Sequence, residues 1–178
     1  MSVNTFRPEA CQIKIENGDN RDVGTEHTTE SVEHLTKVSI RLEGPAGYEL
    51  ETVWAEAITD GLDRLRNVPF LAYGYSEQDV VSAAEVGGRL IVNGVAERGG
   101  HSTYRVFLPE PTSEEYFHLL WKPFASLGCT YEPANRRLIG IDVPPASDVY
   151  AVYAVLEQGE ASKQWDFEEG HCGHLLRK

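Results

Sequence analysis

A change of hydrophobic period near residue 108 limits what this chain can fold into more than any other feature. Before it, apolar and polar residues alternate in short runs: Val38, Ile40 and Leu42, then Tyr48 to Ile58, Leu62 to Val68, Asp79 to Glu85 and Arg89 to Glu97. Alternation at a period of two places the apolar side chains on one face of a strand. Residues that turn a chain separate the runs, namely Gly44-Pro45-Ala46-Gly47, Asp60-Gly61, Pro69 and Gly87-Gly88. Short antiparallel strands joined this closely predict a curled sheet or small barrel.

After that point the period lengthens. Ser102 to Leu108 reads as a strand that Pro109 and Pro111 end, and Thr112-Ser113-Glu114-Glu115 has the form of a capping box with Thr112 as the cap. The helix it opens has Tyr116, Leu119, Leu120, Phe124 and Leu127 as its apolar stripe, Gly128 as its stop and Pro123 as a kink or restart. Cys129 to Glu132 and Arg137 to Val143 follow as strands, Ser147 to Gln158 as a helix with Val149, Val152, Tyr153 and Leu156 inward, and Gln164 to Phe167 as a last strand. The order β-α-β-β-α-β is that of ferredoxin-like domains. The expected fold is therefore α+β: a mobile extension over residues 1–36, an antiparallel barrel-like part over 37–99, a ferredoxin-like part over 100–169 and a polar tail over 170–178.

Charge narrows the choice of partner. Sixteen basic residues against 28 acidic ones leave a net charge of −12. Nucleic acids and anionic membranes call for clustered Lys and Arg, and the chain has only Arg136-Arg137 and the terminal Arg177-Lys178. An acidic surface suits a basic protein partner instead. Cys11, Cys129 and Cys172 are odd in number and far apart, so neither a disulfide framework nor a paired-cysteine zinc site is expected. The first residues lack a basic start followed by a long apolar run, and no stretch of eighteen apolar residues occurs, so a cytoplasmic location is expected.

A series of short motifs carries a resemblance: Val53-Trp54-Ala55-Glu56, Asp60-Gly61, Asn67-Val68-Pro69-Phe70, Asp79-Val80-Val81, Gly100-His101-Ser102-Thr103 with Arg105, Leu127-Gly128-Cys129 and Asp142-Val143-Pro144. From Lys37 to Glu169 the chain resembles a bacterial family known as domain of unknown function 4265. The resemblance implies a bacterial, soluble, cytosolic protein and brings no activity with it.

The segment Gly99-Gly100-His101-Ser102-Thr103-Tyr104-Arg105 holds the most suggestive chemistry. A strand there sets His101, Thr103 and Arg105 on one face and Ser102, Tyr104 and Val106 on the other. An imidazole, a hydroxyl and a guanidinium beside glycines suit a carboxylate or phosphate, while the opposed faces argue against direct contact of Ser102 with His101. Glu56 and Asp79, in apolar strand contexts, are expected as acid or base groups of such a site, or as the internal partners of Arg105. Tyr73 and Tyr75 flank Gly74 and are expected to present an aromatic surface to a partner. His171, Cys172 and His174 have some metal-ligand character but lie in a Gly-loosened tail, so no metal and no cofactor are expected. No phosphate-binding loop, dinucleotide fingerprint or hydrolase elbow is found, which leaves any catalytic residue unknown.

The leading expectation is an acidic binding protein for a basic macromolecule, comparable to an immunity protein that neutralises a toxin. The alternative is a small-molecule enzyme or ligand-binding domain with an anion site at His101, Thr103 and Arg105.

Overall fold

In the computed structural model, residues 35–42 and 49–176 are described. The alternating runs become β1 (Leu35–Arg41), β2 (Leu50–Thr59), β3 (Leu62–Leu65), β4 (Val80–Val86) and β5 (Arg89–Glu97). Successive strands pair antiparallel, and β1 closes on β5 in parallel to make a barrel. The parallel closure follows from the odd number of strands, since an up-and-down meander of five begins and ends in the same direction. Val38, Ile40, Val53, Ala55, Leu65, Val81, Ala83 and Val92 fill the interior, and each Val, Leu or Ile side chain among them contributes about 1.5–3 kcal/mol when fully buried. The tight turn at Gly87-Gly88 uses positive φ at both glycines, 59° and 79°, as a two-residue hairpin of right-handed twist requires. The extension expected over 1–36 and the turn at 44–47 lie outside the described residues, except that Leu35 and Thr36 already belong to β1.

The second half follows as β6 (Ser102–Phe107), α1 (Glu114–Ser126), β7 (Thr130–Pro133), β8 (Leu138–Val143), α2 (Val149–Ala161) and β9 (Asp166–His171). The sheet order is β7-β8-β6-β9, with every pair antiparallel. The molecule is thus α+β. Both helices cover one face, where Tyr104, Val106, Ile139 and Ile141 meet Phe124, Val152, Leu156 and Trp165.

The helices differ from expectation in detail. Ser113, not Thr112, caps α1, accepting from the Tyr116 amide at 3.3 Å, while the Thr112 hydroxyl donates to Glu110 O. Packing selects a stripe different from the expected one: Phe117, Leu120, Trp121 and Phe124 face the sheet, while Tyr116 and Leu119 are exposed. Helix α1 runs through Pro123 without a break. On α2, Gly159 leaves a slot for the Trp165 ring, since a Cβ there would lie under 3.0 Å from Trp165 Cζ2. Trp165 Nε1 donates to Leu156 O at 3.1 Å. Among the described residues no helix is long and apolar enough to cross a membrane.

The described residues form one compact unit. What joins the barrel to the second sheet is the long connection from β3 to β4, residues 66–79, which lies on the sheet face that the helices leave free. Gly140 on β8 admits it, because a Cβ there would stand 2.8 Å from Val68 Cγ1.

Candidate functional site

The connection 66–79 has no strand of its own, so its backbone groups need other partners. Barrel alternation turns Glu51 of β2 inward, and its carboxylate accepts three successive amides, from Phe70 at 2.6 Å, Leu71 at 3.0 Å and Ala72 at 2.7 Å. On β7, Glu132 accepts the Val68 amide at 3.1 Å, and burial first of all pushes its carboxyl up. Glu51→Gln is expected to destabilise the protein by about 2 kcal/mol in urea unfolding, because an amide NH2 then faces backbone donors without an acceptor. A loss below about 0.5 kcal/mol would remove Glu51 as the anchor.

Arg105 on β6 holds the same segment from the other side. It is fully buried. Its Nε donates to Pro69 O at 3.2 Å, one terminal nitrogen donates to Ala72 O, and the other to Glu168 Oε1 on β9 at 2.8 Å. The Tyr73 ring lies over the guanidinium at 4.6 Å, and its hydroxyl donates to Glu168 Oε2 at 2.7 Å. Partial burial and the Glu168 carboxylate keep the Tyr73 phenol above its ordinary range. The internal partner of Arg105 is therefore Glu168, not Glu56 or Asp79. Strand register explains this, since Arg105 lies directly opposite Glu168 on one face.

The other sequence candidates are placed as follows. Thr103 is buried and donates to Ser76 Oγ at 2.9 Å. Asp79 accepts from the Ser76 amide, the Gly99 amide and Arg98 Nη1 at 3.1, 2.9 and 2.9 Å. Glu56 stands apart on the barrel, 3.8 Å from Arg66. His101 turns to Asp142 of β8, its Nδ1 lying 2.8 and 2.9 Å from the two carboxylate oxygens. The proposed anion cradle of His101, Thr103 and Arg105 is thus divided among three separate sets of internal partners. Tyr73 is 60% exposed, whereas Tyr75 is half-buried against the barrel core.

Glu51 and Glu168 had no mark in the sequence as anchors of this segment, while Asp142 stood out only through the family motif and His174 only as a weak metal-ligand candidate. Burial pushes the Asp142 carboxyl up to about 6, against the opposing effect of His101. Burial, with the Asp142 charge adding to it, pushes the neighbouring Cys129 thiol up to about 12. A folded-state pKa above the unfolded one means the folded chain binds the extra proton between about pH 4 and 6. Asp142 therefore supports the fold most near pH 4 and loses that support as pH rises through 6. Measured against Asp142→Asn in urea from pH 4 to 7, the wild type is expected to lose ground over that window. A pH-independent difference would contradict it.

The segment expected to fray, residues 170–178, is instead packed as far as His174. Gly170 is buried within β9, and a Cβ on Gly173 would lie under 3.0 Å from His101 O, so these glycines permit close approach rather than looseness. Ser102 Oγ donates to His174 Nδ1 at 2.7 Å and accepts from the Gly173 amide at 2.9 Å, while His174 Nε2 donates to Pro144 O at 3.1 Å. His171 has its pKa lowered by burial first and then by Arg98. Among the described residues, no group of three or more His, Cys, Asp or Glu is arranged to hold a metal.

A family model described as Domain of unknown function (DUF4265) matches residues 51–167. Comparison with curated proteins finds no match. A crystal structure of a hypothetical protein from Neisseria gonorrhoeae is similar over 78% of this chain and 95% of that chain, with a TM-score of 0.67 and 13% identity. At that identity the likeness concerns the fold.

Proposed function

We propose a function for a chain that belongs to the DUF4265 family: a cytoplasmic module, not a catalyst, that binds a basic macromolecular partner in the manner of an immunity protein. The observation that supports it most is where the positive charge goes. Arg105 is buried on Glu168, Arg98 pairs with Asp79, and Arg66 lies near Glu56. These three guanidinium groups are engaged by the chain's own carboxylates and are not free to recognise an anion. Glu85, Glu97, Glu157, Glu160, Asp166 and Glu169 meanwhile face solvent, in a chain of net charge −12. Such a surface accelerates encounter with a basic protein and repels acidic ones.

Affinity capture from the source lysate at low and moderate salt tests this. A basic protein retained in stoichiometric amount, released by moderate salt and lost with Glu157→Lys/Glu160→Lys/Glu169→Lys is the expected result. Absence of a basic protein, or retention indifferent to salt and charge reversal, overturns the reading.

One observation favours a second reading, a small-molecule enzyme or ligand-binding domain. Asp142 holds the His101 ring through Nδ1, and Nε2 makes no hydrogen bond among the described residues. A carboxylate on one imidazole nitrogen leaves the other basic and oriented. With Thr103 and Arg105 engaged elsewhere and Asp142 beside the ring, a neutral substrate suits this position better than an anion. A thermal-shift screen of neutral and anionic metabolites is expected to yield stabilisation that His101→Gln abolishes. Stabilisation that survives His101→Gln, or none at all, rejects it.

A further inference from the structure

The four-stranded sheet has two edges, and they differ. Strand β7 has four residues and ends at Pro133, which lacks a donor. Strand β9 has six residues and, among the described strands, pairs only with β6. Beyond that ladder, one described backbone bond reaches it, from the Gly74 amide to Gly170 O at 2.9 Å, near its C-terminal end. An open edge presents donors and acceptors that template a further strand.

Charge decides which strand. Asp166 and Glu169 are exposed and the Glu168 side chain is 34% exposed, so three of the six residues carry carboxylates to this edge. A second copy laid against it would set like charges opposite one another, which destabilises a strand pair. An extended segment with Lys or Arg at alternate positions would meet opposite charges. Tyr73 stands at the same edge through its bond to Glu168, a 60% exposed aromatic of the kind that anchors an inserted chain.

We propose that β9 is the docking edge for an extended basic segment of a protein partner, which adds beside it as a fifth strand. Main-chain hydrogen bonds to β9 supply affinity, and the contacts of cationic side chains with Asp166 and Glu168, which share one face of β9, supply selectivity. Six residues of strand offer an edge of about 20 Å. Tyr73 receives an apolar or cationic side chain at the C-terminal end. This inference rests on the basic-partner reading and gives it a location and a binding mode.

The test uses the full chain, 15N-labelled and at low salt, titrated with an acetylated and amidated peptide of three Lys-Val repeats. A second titration uses the same peptide N-methylated at alternate amides, which keeps the charge and removes the donors. The expected result is amide shifts confined to residues 166–171 and 73–75, with binding at least about tenfold weaker for the methylated peptide. Asp166→Asn is expected to weaken the parent peptide severalfold while leaving the circular dichroism spectrum unchanged. Equal binding of both peptides, or shifts elsewhere, overturns the edge and leaves the basic-partner reading standing. No binding of either peptide up to about 1 mM also overturns the edge, and the lysate capture then decides the broader reading independently.

Discussion

Arg105→Met is expected to cost the fold about 3 kcal/mol or more, seen as a lower urea midpoint and a melting temperature reduced by about 10 °C. Methionine is long and apolar, so it refills much of the space, and a cavity is not the main cause. What is lost is a set of charge-assisted hydrogen bonds, each worth about 1.5–3 kcal/mol. Pro69 O and Ala72 O lose a buried donor, and Glu168 loses its cation. Removing the buried guanidinium returns part of its desolvation cost, which keeps the total well below the sum of the bonds. Glu168→Gln should be milder, about 1 kcal/mol, because that side chain is 34% exposed and water can replace it. Arg105→Lys should fall between wild type and Met, keeping the charge but not the fork that reaches two carbonyls and a carboxylate. An Arg105→Met protein within about 0.5 kcal/mol of wild type would mean that segment 66–79 is held by other groups.

Gly159→Ala tests the helix layer, and its sign is informative. In an ordinary helix interior this change stabilises by about 1 kcal/mol, through lower backbone entropy in the unfolded chain. Here the new methyl group overlaps the Trp165 ring, with three ring carbons under 3.0 Å from the Cβ position. The ring must leave its slot, break its bond to Leu156 O and disturb its contact with Phe124, whose ring centre lies 5.9 Å away. The expected outcome is destabilisation by about 3 kcal/mol with an altered near-ultraviolet tryptophan signal. Adding Trp165→Leu should recover part of the loss. A stabilised Gly159→Ala protein would show that the tryptophan does not occupy this slot.

Features set by neighbouring residues were legible in the sequence. Alternation located the barrel strands, β5 with its bounds at Arg89 and Glu97, and Gly87-Gly88 marked its hairpin. The two-residue period of β6 separated Thr103 and Arg105 from Ser102 and Tyr104, which indeed reach different partners. Helix α1 was visible, but its cap and its buried stripe were not, because Thr112 and Ser113 are both good caps and apolar residues surround much of the helix, so only packing chooses among them. Partnerships were the illegible part. Glu168 stands 63 positions from Arg105, and Glu51 stands 19 to 21 positions from the amides it accepts. In a chain with 28 acidic residues, nothing local distinguishes a carboxylate that accepts three amides from one that faces water. The closing segment was misread for a related reason. Gly170 and Gly173 look like sources of looseness until the opposing backbone they admit is in view.

Segment 66–79 looks like the first part of the molecule to come loose, since it is long and belongs to no sheet. Its anchors say otherwise. Glu51 belongs to the barrel, while Arg105, Glu132 and Glu168 belong to the other sheet. To lift the segment is to strand charged groups in both layers at once, so partial opening has little thermodynamic advantage over complete unfolding. The amides of Phe70, Leu71 and Ala72 should therefore exchange with deuterium as slowly as those at the centre of β6. A connection without regular structure then serves as the cooperative hinge of the whole unit, and the barrel and sheet melt together because it ties them.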